Sequence, residues 1–439
     1  MGMELKKKRV SAISLGCDKN RVDLERMLYL LKDYGFAIVN DGEECDVVII
    51  NTCAFILPAR EEAVKEILMA VEQKRNKKIE KIIVTGCLNE KNLDELKKLL
   101  PEVDGFLPIH ENAKIVNIIE RTYGVKESKT DSLKDRVLTG SGHYAFLKIA
   151  DGCNNMCSYC TIPRIRGRYK SVPQKELLAE AKKLVSQGVK ELIIVAQDST
   201  RYGEDIYKEN KLVELVEELS KIKNLVWIRL LYCYPEKVSK KLLDLIENNP
   251  KVCKYIDIPL QHIDNTILKD MNRRLPELET RALFSNIKEK YPNVAIRSTF
   301  ILGFPGETKR QFNKLCNFIK IAKIDYAGFF PYSREEGTRA YFMRKQLFGF
   351  TKKQRIKKAT LVQKEIMEKN CNEKVGKHVK VLIDYFDQTD GFYVGHTEFL
   401  TPEVDPIFKV ADNGKVEIGK FYKVEVKSFE NLEFKGEII

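Results

Sequence analysis

Cys153, Cys157 and Cys160 place three thiolates within eight residues, in the run DGCNNMCSYCTIPRIRGR. Soft sulfur ligands select iron–sulfur clusters or zinc, and a purely structural site of either kind normally completes four protein ligands. No fourth cysteine follows at motif distance. A cubane held by three thiolates keeps one iron open to a substrate or cofactor, so the run points to chemistry. The alternative is a structural zinc site completed by a distant His or Cys.

A second set is spread more widely. Cys17 follows RVSAISLG, Cys53 follows DVVIINT and Cys87 follows KIIVTG, so each stands just past an apolar, β-branched run that reads as a strand. With helical patterns between them, such strands form a parallel α/β sheet, whose ligand sites gather at the carboxyl ends of the strands. The three thiols should therefore meet, although any one of them alone could be a small buried hydrophobe. Cys45 is the internal control: it precedes the strand that Cys53 ends, and eight residues at about 3.3 Å each put it roughly 25 Å away. Cys233, Cys253, Cys316 and Cys371 are expected to be ordinary buried or partly buried thiols.

The middle of the chain must position the first set. Strand-like segments YAFLKI, ELIIVAQ, LVWIRLLY, YIDIPL, AIRSTFIL and YAGFFPY alternate with helical stretches such as QKELLAEAKKLVSQG. Six such repeats predict a parallel barrel, in which the loops after the strands carry the chemistry. The CxxxCxxC loop follows the first of them. Gln197, Asp198, Gln261, His262 and Arg297 fall on or just past other strand ends and are candidate pocket residues by position. GFPGET (Gly303 to Thr308) lacks the GxxxxGKS/T and GxGxxG patterns, so it reads as a tight strand-to-helix turn. The run from Lys352 to Asn370 reads as an amphipathic connector helix with a basic cluster. Beyond it, HVKVLIDYF, FYVGHTE, IFKVAD and FYKVEVKSF alternate with period two between turns, as in a small antiparallel OB-like β-barrel.

Taken together these segments resemble the radical S-adenosylmethionine (SAM) methylthiotransferases. SLGCDKNRVDLE, NTC and TGC resemble that family's N-terminal signatures, CNNMCSYCTIPRIRGR its radical SAM core, and IDIPLQH, STFILGFPGET and PYSREEGT its later landmarks. The likeness runs from about Ser14 to the C-terminus. The wording GCDKN…VDLE, RLLYCYP and IPLQH resembles the RimO type, which modifies an aspartate of small-subunit ribosomal protein uS12; Asp18 stands where the commoner form has proline. The resemblance implies an N-terminal α/β domain over residues 1–125, a linker at 126–140, a partial (β/α)6 radical SAM barrel with its connector helix at 141–370, and a TRAM domain at 371–439. It further implies two 4Fe-4S clusters and SAM. The cluster on Cys153, Cys157 and Cys160 would reduce SAM to a radical that abstracts hydrogen from the aspartate β-carbon, and the auxiliary cluster on Cys17, Cys53 and Cys87 would deliver sulfur to that carbon. The GFPGET turn would border the SAM pocket, and Gln197, Gln261 and Arg297 are candidates for binding SAM. An electron donor such as flavodoxin or ferredoxin and a sulfur donor would be needed.

Charge bears on the substrate. The whole chain carries +13, but Cys371 to Ile439 holds nine lysines, no arginine and thirteen carboxylates, so this segment is −4 and the remainder +17. Phosphate contacts need Lys and Arg, so an acidic last domain suits a basic ribosomal protein better than RNA. A tRNA methylthiotransferase of the MiaB type, acting on isopentenyladenosine, shares nearly every motif and is the rival enzyme reading. An iron–sulfur electron carrier or an RNA-binding scaffold is the non-enzymatic one, and open irons argue against it. Eleven cysteines, an odd number, fit a reducing cytoplasm. The N-terminal MGMELKKKR lacks the apolar stretch of a signal peptide, and no apolar run approaches a membrane span. A monomer is expected.

Overall fold

Along one strand, Val47 and Ile49 face one side and Val48 and Ile50 the other, and all four are buried, so the sheet must be covered on both faces. In the computed structural model, which describes residues 5, 7–128, 135–412 and 414–439, this is what the first of two compact units does. It comprises Met1–Thr139 together with Asp151–Asn154 and Cys160–Lys170. Strands β1 (Arg9–Ser14), β2 (Ala37–Ile38), β3 (Val47–Thr52), β4 (Lys81–Gly86) and β5 (Gly105–Leu107) form a parallel sheet in the order β2-β1-β3-β4-β5. Val47, Ile49 and Ile83 pack with Leu24, Leu31 and Ile119 from helices Asp18–Tyr34 and Ile115–Thr122. On the other face Val48, Ile50 and Val84 pack with Ile67 and Val71 of helix Leu57–Arg75. The three expected strands are the sheet's centre; the short β2 and β5 carry too little pattern to be read from sequence. Residues 129–134 of the expected linker lie outside the described residues.

The second unit comprises Gly140–Ala150, Asn155–Tyr159 and Ser171–Ile439. Its strands β6 (Tyr144–Lys148), β7 (Glu191–Val195) and β8 (Trp227–Leu230) are parallel neighbours, as are β9 (Tyr255–Asp257), β10 (Ala295–Leu302) and β11 (Tyr326–Pro331). A parallel bridge between Ile228 and Val252 joins the two halves. Six parallel strands with helices between them make the expected partial barrel. Helix Gly349–Asn372 then leads to β12 (His378–Asp387), β13 (Phe392–Thr397), β14 (Ile407–Ala411), β15 (Phe421–Glu430) and β16 (Glu433–Ile438), closed in the order β12-β13-β14-β16-β15. The expected antiparallel barrel is corrected at one seam, where β14 and β16 run parallel. Five strands cannot alternate direction all the way round a closed ring, so at least one pair must be parallel. No helix among the described residues is long and apolar enough to cross a membrane.

The C-terminal barrel packs on the amino-terminal ends of the larger barrel's strands. Arg229, fully buried, gives Nε to Glu191 at 2.7 Å and both Nη groups to the carbonyls of Thr397 and Glu398 at 3.0 Å. His396 bridges Glu191 at 2.5 Å and Asp384 at 2.8 Å, and His143 meets the other oxygen of Asp384 at 2.8 Å. Although burial alone would lower it, the two carboxylates raise the pKa of His396 to about 9. The groups facing it are Glu191, Asp384, Arg229 and His143. A folded-state value above the unfolded one of about 6.5 stabilises fully below about pH 6.5 and is lost as pH rises through about 9. Thermal unfolding should therefore become easier across that window, by of the order of 3 kcal/mol at 1.36 kcal/mol per unit, and His396→Leu should flatten the dependence. An unchanged slope in the variant would contradict the bridge.

Candidate functional site

Three strand ends in one sheet bring Cys17, Cys53 and Cys87 together. Cys17 is the N-cap of helix Asp18–Tyr34, Cys53 follows β3 and Cys87 follows β4. The approach is so close that a Cβ at Gly16 would lie 2.5 Å from Cys53 Cβ and 2.8 Å from its Sγ, and one at Gly86 would lie 2.4 Å from Thr52 O. Both glycines also have positive φ, of 92° and 91°, where a side chain is strained. Burial pushes the Cys53 thiol up, a charge on Cys17 pushes it further, and Arg166 opposes both. Cys87 is pushed up to about 12 by burial, against the pull of Arg166. Three thiols that influence one another, Cys53 and Cys87 buried and Cys17 partly exposed, need positive charge to become thiolates, and the donor set fits an iron–sulfur cluster. Cys45 lies elsewhere: it precedes β3, and its charged neighbours are Arg9, Asp41 and Asp46.

A polar scaffold surrounds this triad. Asn20 Nδ2 donates to the carbonyls of Leu15 at 3.0 Å and Thr52 at 2.9 Å, while Asn51 Nδ2 donates to Asn20 O at 2.7 Å. Arg166, in the RIRGR segment behind Cys160, reaches Asn20 Oδ1 at 2.5 Å, Asp23 at 2.9 Å, Asp151 at 3.0 Å and Cys87 Sγ at 3.9 Å. One buried guanidinium thus ties the segment that follows Cys160 to the framework around Cys17, Cys53 and Cys87. Asn20, Asp23 and Arg166 stood inside the quoted motifs, three to six residues from a cysteine, yet sequence reasoning gave them no part. Gly16→Ala should drive Cys53 out of place and cost about half of the iron in a protein holding two cubanes of four irons. Cys45→Ala should cost none. Iron analysis of the anaerobically reconstituted variants checks both.

The CxxxCxxC set lies in the loop after β6, with Cys153 and Cys157 buried and Cys160 partly exposed. Met156 adopts a left-handed φ of 52°, held by Asn272 Nδ2, which donates to the carbonyls of Met156 at 2.9 Å and Asn155 at 3.2 Å. Ser158 N donates to Met271 O at 3.0 Å. Near Cys157 Sγ stand Tyr234 Oη at 3.8 Å and Nη1 of the buried Arg273 at 4.0 Å. Arg273 also stacks on the Tyr234 ring, 4.2 Å from its centre, and donates to Pro259 O at 2.7 Å. Sequence reasoning missed Arg273. Its only signal was a charged pair, Arg273 and Arg274, beside the loop's eventual partner Asn272.

The positional candidates divide. Gln197 and Asp198 follow β7; Asp198 is buried, its pKa is raised by that burial, and it accepts from Asn155 at 2.8 Å and Thr200 at 2.6 Å. Gln261 and His262 follow β9, with Gln261 at a positive φ of 72° bridged to Phe300. His262 is fully buried; burial drives its pKa to about 3, so the ring is neutral, and its Nδ1 accepts from Asp264 N at 3.0 Å. Arg297 is corrected. It is the third residue of β10, five before the strand's end, and pairs with Asp257 at 3.5 Å and with Asp405 of the C-terminal barrel at 3.3 Å. The strand has the expected bounds, Ala295–Leu302, and within them Arg297 stands near the start, so it faces the amino-terminal end of the barrel and not the strand end. The GFPGET turn joins β10 to helix Lys309–Ala322, and Glu307 ties it by accepting from Gly303 N at 2.6 Å and Phe304 N at 3.2 Å. A cavity of about 1370 Å³ lies among outer-helix residues such as Lys211, Glu217 and Asp244, and no cysteine lines it. Among the described residues no three His, Cys, Asp or Glu side chains are gathered to hold a single metal ion.

Residues 9–108 match the uncharacterized protein family UPF0004, residues 147–319 the radical SAM superfamily, and residues 375–439 the TRAM domain. A protein of Thermoanaerobacter sp. (strain X514) called ribosomal protein uS12 methylthiotransferase RimO is 42% identical over 438 residues, covering 98% of this chain and all of the relative. One of the same name from Elusimicrobium minutum is 43% identical over 434 residues, with 98% and 100% covered. The structure of the radical SAM methyltransferase TsrM from Kitasatospora setae, with cobalamin and a [4Fe-4S] cluster bound, superposes with a TM-score of 0.55 at 13% identity, covering 76% of this chain and 77% of that one, which shows a shared fold. The chain is an enzyme, and it belongs to the RimO family of methylthiotransferases within the radical SAM superfamily.

Proposed function

We propose that this protein methylthiolates the β-carbon of an aspartate in ribosomal protein uS12, using SAM and two 4Fe-4S clusters. The observation that carries the reading is the convergence of Cys17, Cys53 and Cys87 at adjacent strand ends, separate from the CxxxCxxC loop. Cys153, Cys157 and Cys160 would hold the cluster that supplies the electron for SAM cleavage, and Cys17, Cys53 and Cys87 the one that carries sulfur for transfer. Around them the chain's own residues set charge and position. Arg166 offsets thiolate charge at Cys87 and holds the segment behind Cys160 in place. Arg273 and Tyr234 do the same beside Cys157, with the guanidinium fixed by Pro259 O. Asp198 anchors Asn155 within the cysteine loop, and Gln197 and Gln261, past neighbouring strand ends, are proposed to contact SAM. Arg297 is proposed to secure the C-terminal barrel instead.

Near-full-length relatives named for uS12 favour this substrate over the tRNA reading. The domain division at residues 125, 140 and 370, a reductant such as flavodoxin or ferredoxin, a separate sulfur donor, a monomeric state and a cytoplasmic location complete the proposal. A strain lacking the gene tests it: uS12 should lose its methylthio group while bulk tRNA keeps its own. Loss from tRNA alone would overturn the assignment.

A further inference from the structure

Between Thr338 and Lys358 the chain has eight Lys and Arg and no carboxylate. Within this stretch Phe342, Phe348 and Phe350 are 74%, 84% and 71% exposed. Three large apolar rings left in water within nine residues are far more than the scattered exposure of an ordinary surface. Arg344, Lys345 and Lys353 are exposed and have no ion-pair partner among the described residues. The stretch is nevertheless firmly seated. Ala340 N donates to Ser158 O, between Cys157 and Cys160, at 2.8 Å, and Lys345 O accepts from Gly306 N of the GFPGET turn at 2.9 Å. Ala340 is buried, with Met343 packed beside it, against Phe304 and Tyr332. The exposed rings and cations are thus held on the rim of the barrel end that carries the cysteine loop.

We propose that this rim, centred on Phe342, Phe348, Phe350, Arg344, Lys345 and Lys353, docks RNA next to the protein substrate. The inference rests on the ribosomal reading above, which places RNA beside uS12. Charge complementarity selects the occupant. Unpaired cations attract phosphates, and exposed aromatic faces stack unpaired bases whatever their identity. A basic protein such as uS12 would be repelled here. The C-terminal barrel is a poorer place for RNA: it carries net negative charge and packs at the opposite ends of the barrel strands, about 17 Å away along a five-residue strand.

Fluorescence anisotropy with a labelled RNA stem–loop bearing an unpaired loop, and with intact small ribosomal subunits, tests the proposal. Phe348→Ala with Phe350→Ala should weaken binding about tenfold or more, since each stacked base contributes ~1–3 kcal/mol and 1.4 kcal/mol is tenfold. Reversing Arg344, Lys345 and Lys353 to Glu should reduce the salt slope of binding by about 2, as three phosphate contacts on a single strand require. These side chains are exposed, so unchanged melting and iron content serve as fold controls. Absence of RNA binding by the wild type, or equal RNA binding by wild type and variants, would overturn the proposal. So would a loss confined to RNA-free uS12, which would make the rim a protein-docking site. A wild type that binds RNA but leaves uS12 unmodified would instead sink the substrate assignment.

Discussion

Replacing Cys153, Cys157 and Cys160 together by alanine should remove about four irons per chain and abolish SAM cleavage. The triple variant of Cys17, Cys53 and Cys87 should lose a similar amount yet still cleave SAM without modifying uS12. The asymmetry follows from the placement of the two sets. The first stands in the loop after the first barrel strand, where a parallel barrel keeps its chemistry; the second is built by the N-terminal sheet, with its own scaffold of Asn20, Asn51 and Thr52. Anaerobic iron analysis with a deoxyadenosine assay reads both outcomes. Equal loss of cleavage in the two variants would mean that the sets do not divide the work.

Arg166→Met should be nearly as damaging by a different route. The Arg166 side chain is 1% exposed and pairs with Asp23, itself 8% exposed. Removing one member of a buried pair leaves the other charge less compensated, and breaking such a pair costs about 3–5 kcal/mol. Asp151 is 31% exposed and would suffer less. The same change removes the cation beside Cys87, so iron at the auxiliary set should fall as well. Arg166→Lys keeps the charge but not the fork that reaches Asn20, Asp23 and Asp151 together, and should recover only part of each property. Urea unfolding of the iron-free protein separates stability from cluster loss. Unfolding within about 1 kcal/mol of wild type, inside the range of an exposed pair, would contradict the buried-pair account.

The cysteines were legible in the sequence because their signal is local. A thiol that follows an apolar, β-branched run lies at a strand end, and three such runs in one parallel sheet bring their ends together. Cys45 could be set aside by the same reasoning. The order of the barrel strands was legible too, since each strand–helix repeat carries its own periodicity. What could not be read depends on partners distant in the chain. Arg297 resembled a pocket residue until its partner Asp405, in the C-terminal barrel, was in view. Arg166 and Arg273 are buried cations, and nothing in their neighbourhood in sequence distinguishes them from surface arginines such as Arg344. The parallel seam between β14 and β16 follows from closing a ring of five strands, a condition that no single segment carries. The last domain is acidic in composition, but Asp384 and Asp405 turn inward to His396 and Arg297, so its surface is less negative than its composition.

The most direct test of the central claim is mass spectrometry after the reconstituted enzyme has been incubated, with SAM, sulfide and a reductant, with uS12 and separately with isopentenyladenosine-containing tRNA. The account predicts a methylthio group on the β-carbon of a uS12 aspartate and an unmodified nucleoside. A methylthio group on the nucleoside, with uS12 unchanged, would contradict it.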